Sequence, residues 1–560
     1  MKHSYKFISV ILSLSLCLSF FCVVPVFAQN NEPMFVSSVG ETNHDCSECA
    51  NVETKSDPVG VVLTQASPDE ILSRLVSKEK FSLDGSLVNG NQVKDLNDCY
   101  DFASMSRFEI ADWAYQSDLI SEAQKIESYC DLIESRIFEN AVCLDSFYSE
   151  IEAYANKNLI SASLNEKIAA VLDTSKSQNS NTRDEIHYIE VSGILIDDVD
   201  NILSDEALNA IGEYVSSLRT IFINRGFTFP NNPHPNGRED FVISLNSSTT
   251  GTVLHTNTFV QVSTNTRLIT SFIYGVNNNT VLNDTLRQRI AHGMFHAIQD
   301  FCYYESSSNS TPHKSEWFRD ACADWGAWST TGLTTGINFN AFINARGCMT
   351  QNIGNGAILF PVTIARYYGG YETIVEIYEQ LSTVTTTILP FSTLENKINA
   401  ALAARGYTSV DFADIFSQMS GYLAVPSSIY SFVASGLQNT FNAGEITYYE
   451  GADFTEDDIR KLDRAYFSFT PDEDLIDYEI EFEVGVLGNP NGDVTVQQFW
   501  YNDIGEAMIE YLPLNANGVV SFSHPHFDEG NPSGFVGIII TNTNADAEYG
   551  FYIDYVVTQN

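Results

Sequence analysis

The sequence predicts a multidomain α+β protein: an N-terminal helical bundle, a mixed sheet followed by helices, and a C-terminal antiparallel β-sandwich. Three observations carry this. The 560 residues exceed what one ordinary core organises. Apolar residues recur every three to four positions from about 67 to 174, but every two from about 445 onward. Between these regions strand-like runs come first and helical runs follow, which is the α+β order. The expected segments are a signal peptide at 1–28, a flexible arm at 29–66, the bundle at 67–180, the mixed unit at 181–440 and the sandwich at 441–560.

The signal is read from Lys2 and Lys6, the apolar run Phe7–Val24 and the small-residue site Val26-Phe27-Ala28, with cleavage after Ala28. The run approaches the length of a membrane span, so an uncleaved anchor is the alternative; Pro25 and the cleavage site argue against it. No later stretch is long and apolar enough to span a bilayer. A secreted, extracellular chain without membrane insertion after signal removal is therefore expected. Cys46, Cys49, Cys99, Cys130, Cys143, Cys302, Cys322 and Cys348 follow the signal, an even set compatible with disulfides of undetermined connectivity. The Cys46-x-x-Cys49 pair lacks a second pair at zinc-knuckle spacing, and reads as a local disulfide or free thiols in the arm.

The polar, aperiodic stretch 29–66 reads as an arm. Ser67-Pro68-Asp69-Glu70 is a helix start, with a capping residue, Pro in the first turn and early acids. The segments FASMSRFEIADWAYQ, ISEAQKIESYCDLIESRIF and SFYSEIEAYANKNLI continue the bundle. Its place ahead of the mixed unit suggests a propeptide or inhibitory domain; an ordinary accessory bundle is the alternative. Asp173–Asp184 is linker-like. HYIEVSGILI and FVISLNS read as strands around the amphipathic helix DEALNAIGEYVSSLRTIFINRG, which ends at Gly226. TNTFVQVSTNTRLITSFIYGV adds further strands. In the last region YEIEFEVGVLG, VTVQQFWYN, VVSFSH, GFVGIIITNTN and YGFYIDYVVT are short strands between Asn, Gly, Pro and Asp clusters.

The formal charge of −43 argues against nucleic acid as a partner, because phosphate recognition needs clustered cations. Residues 445–560 alone hold 23 Asp and Glu against 3 Lys and Arg. Such density reads first as a solvated acidic surface, with calcium binding in the acidic C-terminal domain as a speculative addition. His524-Pro525-His526 with Asp528 and Glu529 reads as a surface cluster in a turn that could take up metal adventitiously. There is no Gly-rich phosphate loop and no nucleophile elbow.

The chemistry concentrates in RIAHGMFHAIQDF at 289–301 and EWFRDACADWGAW at 316–328. His292 and His296 are four residues apart in a helical segment, so their imidazoles emerge on one face. This spacing is half of the H-E-x-x-H zinc motif, whose Glu is the general base; here that position is Gly293. A third ligand is expected from Asp320, 24 residues after His296, with Asp324 one turn on to orient a ligand histidine. Glu316 precedes Asp320 by one turn and could ligate in a shifted register. Glu316 or Glu305 would be the speculative substitutes for the missing base.

AHGMFHAIQ followed by WFRDACADW resembles the signature of secreted bacterial gluzincin-type zinc metallopeptidases, A-H-E-x-x-H-A-x-Q and then W-x-x-E-A-x-A-x-W. The HYIEV strand, the GFTFP turn and GAILFPVTIARYYGG are similar to that family too, so the resemblance covers roughly 185–380. It implies zinc held by His292, His296 and Asp320. The chain departs from the pattern at Gly293 and at Asp320, which is one methylene shorter than Glu. General acid–base assistance is typically worth about 10²–10⁴ in rate, and Gly293 supplies none. The expected function is a metallopeptidase-like protein with an impaired site that binds extracellular protein or peptide. The alternatives are an active zinc endopeptidase with a non-standard base and a non-enzymatic adhesion or scaffold protein.

Overall fold

The computed structural model describes residues 106–559 apart from internal stretches, the longer of which are 136–143, 178–186, 230–240, 304–315, 345–354, 434–444 and 526–534. The expected signal, the arm and Cys46-x-x-Cys49 lie outside the described residues. The protein is α+β, with helices first, a mixed sheet, more helices and then two sheets.

Four helices open the described chain: α1 (Arg107–Gln116), α2 (Glu122–Glu134), α3 (Asp145–Ala155) and α4 (Ala162–Ser177). Helix α2 starts where Ser121 and Gln124 form a reciprocal capping box. The stacked and edge-on rings of Phe108, Tyr129 and Phe147 occupy the centre of the group. Lys125 is buried beside them and donates to Asp112 at 3.2 Å and Glu150 at 2.5 Å, so its charge is matched where water cannot reach.

The middle sheet has the order β1-β2-β3-β5-β4, from β1 (His187–Val191), β2 (Ile194–Asp198), β3 (Phe241–Ser247), β4 (Val253–Gln261) and β5 (Thr266–Val276). β1 and β2 form a hairpin whose two turn residues, Ser192 and Gly193, both have positive φ (54° and 77°). That is the twist a two-residue hairpin needs. β2, β3 and β5 run parallel, with antiparallel strands at both edges. Helix α5 (Asp205–Asn224) makes the crossover from β2 to β3. Ser204 caps it, and it buries Leu208, Ile211, Val215, Leu218 and Phe222 at helical spacing.

Among the described residues seven further helices follow: α6 (Asp284–Tyr303), α7 (Glu316–Thr331), α8 (Phe339–Asn344), α9 (Leu359–Tyr367), α10 (Tyr371–Leu381), α11 (Phe391–Ala404) and α12 (Phe412–Tyr422). α6 rests on β5 and lies side by side with α7. Phe222, Phe227, Phe295, Trp325 and Tyr378 meet edge-on, tying α5, α6, α7 and α10 into one core.

The last region forms two sheets, β11-β10-β13-β8-β6 and β12-β9-β14-β7. Their strands are β6 (Glu445–Tyr448), β7 (Gly451–Ile459), β8 (Arg464–Pro471), β9 (Tyr478–Val486), β10 (Val494–Tyr501), β11 (Ala507–Leu512), β12 (Val519–Pro525), β13 (Val536–Asn542) and β14 (Tyr549–Gln559). Phe467, Phe469, Ile538 and Ile540 from the first sheet share a core with Ile480, Phe482, Phe551 and Ile553 from the second. The expectation of purely antiparallel pairing fails at one place, because β6 pairs with β8 in parallel. β6 arrives from the helices along the same direction as β8, with β7 lying between them in sequence but in the other sheet.

The first sheet is covered on both faces. Tyr466, Phe499 and Ile539 alternate with the residues just named and join the helical core. Tyr466 donates from its hydroxyl to the Ser420 carbonyl at 2.8 Å, and Thr495 Oγ1 donates to Ser417 Oγ at 2.8 Å. Arg464 is buried at this junction, with its guanidinium 4.4 Å above the Phe342 ring and a hydrogen bond to the Phe342 carbonyl. His524 lies in strand β12, buried against Trp500 at 5.5 Å, and not in a surface turn. Alternation along β12 turns its ring inward, which the Pro and Asp around it obscured in sequence. Among the described residues Cys130 and Cys322 are free and buried, and no helix is long and apolar enough to cross a membrane.

Candidate metal centre

Helix α6 carries His292 and His296 on the face turned toward α7, and both are fully buried. Their Nε2 atoms lie 2.9 Å apart. Asp320, also buried, brings Oδ1 to 3.5 Å from His296 Nε2. These two separations bracket the ~3.3 Å expected between ligand atoms arranged tetrahedrally about 2.0–2.2 Å from one ion. One ligand atom from each of His292, His296 and Asp320 falls within 4.8 Å of the others.

The hydrogen bonds behind the rings decide which atoms face this point. His292 Nδ1 lies 2.8 Å from Asp324 Oδ1, and a carboxylate there can only accept, so Nδ1 carries the proton. For His296 the chain of reasoning has one more link. Gln299 Nε2 donates to the Arg319 carbonyl at 2.7 Å, which fixes the amide orientation. The opposite atom, Gln299 Oε1, then accepts from His296 Nδ1 at 2.6 Å. Tyr378 holds the same amide through its hydroxyl at 2.8 Å from Nε2. Both imidazoles therefore direct an Nε2 lone pair at the other, with a carboxylate beside them. Three electron-rich atoms in a buried space repel one another unless a cation lies between them. The donor set of two imidazoles and one carboxylate suits zinc, and the orienting partners at Nδ1 are those that ligand histidines use.

Helix packing supplies the short reach that Asp320 needs. A Cβ on Gly326 would overlap the Phe295 ring, so α6 and α7 approach more closely there than two side-chain-bearing helices could. Gly293 is buried between the two histidines in sequence, and its carbonyl accepts from Ser271 Oγ on β5 at 3.3 Å. No proton-carrying side chain stands at this position. Glu305 lies outside the described residues. Glu316 is the first residue of α7, and its side chain is likewise outside the description. Among the described residues no second group of His, Cys, Asp and Glu gathers as this one does, so the calcium expectation for 445–560 gains no site.

Gln299 and Tyr378 were not singled out from the sequence. Gln299 had a signal, since it is one turn beyond His296 and matches the last letter of the A-H-E-x-x-H-A-x-Q pattern. Tyr378 had none, lying 79 residues from the amide it holds. Behind Tyr378, burial pushes the Cys322 thiol well above its ordinary value, so it is a neutral packing group.

No protein-family model matches the chain, and no curated protein does. Among solved structures, PliG from Aeromonas hydrophila, a periplasmic inhibitor of g-type lysozyme, aligns at 7% identity over 20% of this chain and 96% of its own, with a TM-score of 0.15. PliG of Salmonella Typhimurium gives 9% identity, 20% and 97% coverage and a TM-score of 0.14. A family GH115 4-O-methyl-alpha-glucuronidase aligns at 9% identity over 49% of this chain and 38% of its own, with a TM-score of 0.12. Likeness at this level assigns neither a fold nor an activity.

Proposed function

We propose that this chain is a secreted homologue of gluzincin-type zinc metallopeptidases, with an N-terminal helical bundle and a C-terminal β-sandwich around the metallopeptidase-like unit. Its site holds metal but is impaired for peptide hydrolysis, and its work is the binding of extracellular protein or peptide. The observation that supports this most directly is the pair of Nε2 lone pairs turned on each other beside Asp320, with Gly293 where the base would stand. His292, His296 and Asp320 would hold the zinc. When bound, the ion supplies Lewis-acid polarisation of a ligand oxygen. Asp324 and Gln299 keep the two imidazoles in the ligating tautomer and orientation. Gly293 can neither take a proton from a water nor deliver one to a leaving amine, so the proton transfers of hydrolysis have no carrier at this position.

Metal analysis of the purified chain, paired with a general peptidase assay, tests the reading. Equimolar zinc without cleavage is the expected result. Chelator-sensitive cleavage that disappears in His296→Ala would overturn the impairment, and absence of zinc under zinc-replete purification would overturn the metal site.

A further inference from the structure

Lys125, the buried cation of the first four helices, is matched by two carboxylates. Arg464, at the start of β8, is only 1% exposed and has no carboxylate within ion-pair reach among the described residues. Its guanidinium lies on the Phe342 ring of α8 and makes one hydrogen bond, from Nη2 to the Phe342 carbonyl. Nε and Nη1 are buried without an acceptor. The Thr541 hydroxyl is likewise fully buried and without a hydrogen-bond partner. Thr541 stands directly opposite Arg464 in the β8–β13 register, so the two side chains are neighbours on the sheet face turned to the helices.

Nearby groups supply no countercharge. Asp463 turns its carboxylate to the backbone N–H groups of Arg460 and Arg464, at 3.4 and 2.8 Å. The neighbouring Tyr466 is a neutral phenol, because burial pushes it above its ordinary value. Residues 345–354, which follow α8, and 434–444, which precede β6, contain no Asp or Glu. Cations on the surface are solvated by water, but Arg464 is not. A guanidinium cannot shed its proton as a buried lysine can, so its charge persists and calls for a partner. The orphan atoms are two N–H donors and a hydroxyl whose proton can turn to suit. A water molecule would satisfy one of them and leave the charge unmatched. A monatomic anion accepts from all three without directional demand, and its single charge equals that of the guanidinium.

We infer that Arg464 and Thr541 bind a monovalent anion of the halide class between the helices and the β11-β10-β13-β8-β6 sheet. The anion joins α8 to β8 and β13, and it uses none of the metal ligands. The test is the thermal midpoint of the full chain at constant ionic strength, with sodium chloride exchanged for sodium gluconate, whose anion is too large for a sealed site. An ion held by the folded state alone should raise the midpoint by about 2 °C or more between ~10 mM and ~1 M chloride. Arg464→Met, which keeps the length but not the charge, should abolish the rise. Thr541→Val should move it to about tenfold higher chloride, and decides the matter where the methionine variant does not fold. Crystals soaked in bromide should show anomalous density beside Arg464. Chelator should leave the chloride dependence intact; its loss would place the anion on the metal and overturn the inference. Equal midpoints in chloride and gluconate, a rise that survives Arg464→Met, or one unmoved in Thr541→Val would overturn it as well. So would water alone beside Arg464, and bromide density without any midpoint dependence would mean an adventitious ion only.

Discussion

Gly293 and the atoms around it set what the buried histidines can do. On the proposed metallopeptidase-like reading, placing a carboxylate there by Gly293→Glu should raise cleavage of a general peptide substrate by about 10²–10⁴. A variant that binds zinc and gains nothing would show that the site lacks more than a base. The tautomer argument makes a second residue-level prediction. Asp324→Ala and Gln299→Ala each remove the acceptor that keeps a proton on Nδ1. Each should weaken zinc about 10–100-fold in a competition titration with a chromophoric chelator. Unchanged affinity would mean that the rings are held by packing alone.

Two elements carry predictions of their own. Helices α6 and α7 meet where Phe295 lies on Gly326, so Gly326→Ala should cost about 1–3 kcal/mol by overpacking, measured by chemical denaturation. A variant as stable as the parent would show that the helices can part without loss, and that their spacing is not what brings Asp320 within reach. Strand β12 buries His524, and burial lowers its proton affinity to a pKa of about 4, with Glu510 opposing weakly. The unfolded chain binds that proton near 6.5, so between about 4 and 6.5 the unfolded state holds more protons. Stability should therefore rise with pH across this window, and the contribution is lost as pH falls through it. His524→Phe should flatten that part of a stability-versus-pH curve; an unaltered slope would assign it to other groups.

Across the whole molecule, the β11-β10-β13-β8-β6 sheet belongs to two cores at once. The junction is apolar with a few fixed polar contacts, and the Tyr466 hydroxyl on the Ser420 carbonyl is among the most buried of them. Tyr466→Phe strands that carbonyl and should cost about 1–3 kcal/mol of global stability. A cooperative single transition that shifts as a whole would mark the helices and the sheets as one folding unit. Two transitions, with only the later region affected, would show that the sheets unfold on their own.

Some of this was legible in residues alone. The period change near 445, the helix that stops just short of Gly226 and the α+β order followed from local patterns, because 3.6-residue and two-residue repeats are imposed by backbone geometry. The histidine pair followed from spacing within one helix, and its link to the second helix from a resemblance. Burial of β13 on both faces was written in the run VGIII, which does not alternate, yet nothing local says what covers the second face. The parallel β6–β8 pair and the inward ring of His524 depend on segments far apart in the chain. Sequence by itself determined that His292 and His296 share one helix face with Gly293 between them. Only the tertiary structure decided which nitrogens face inward, because tautomers are set by acceptors that another helix supplies.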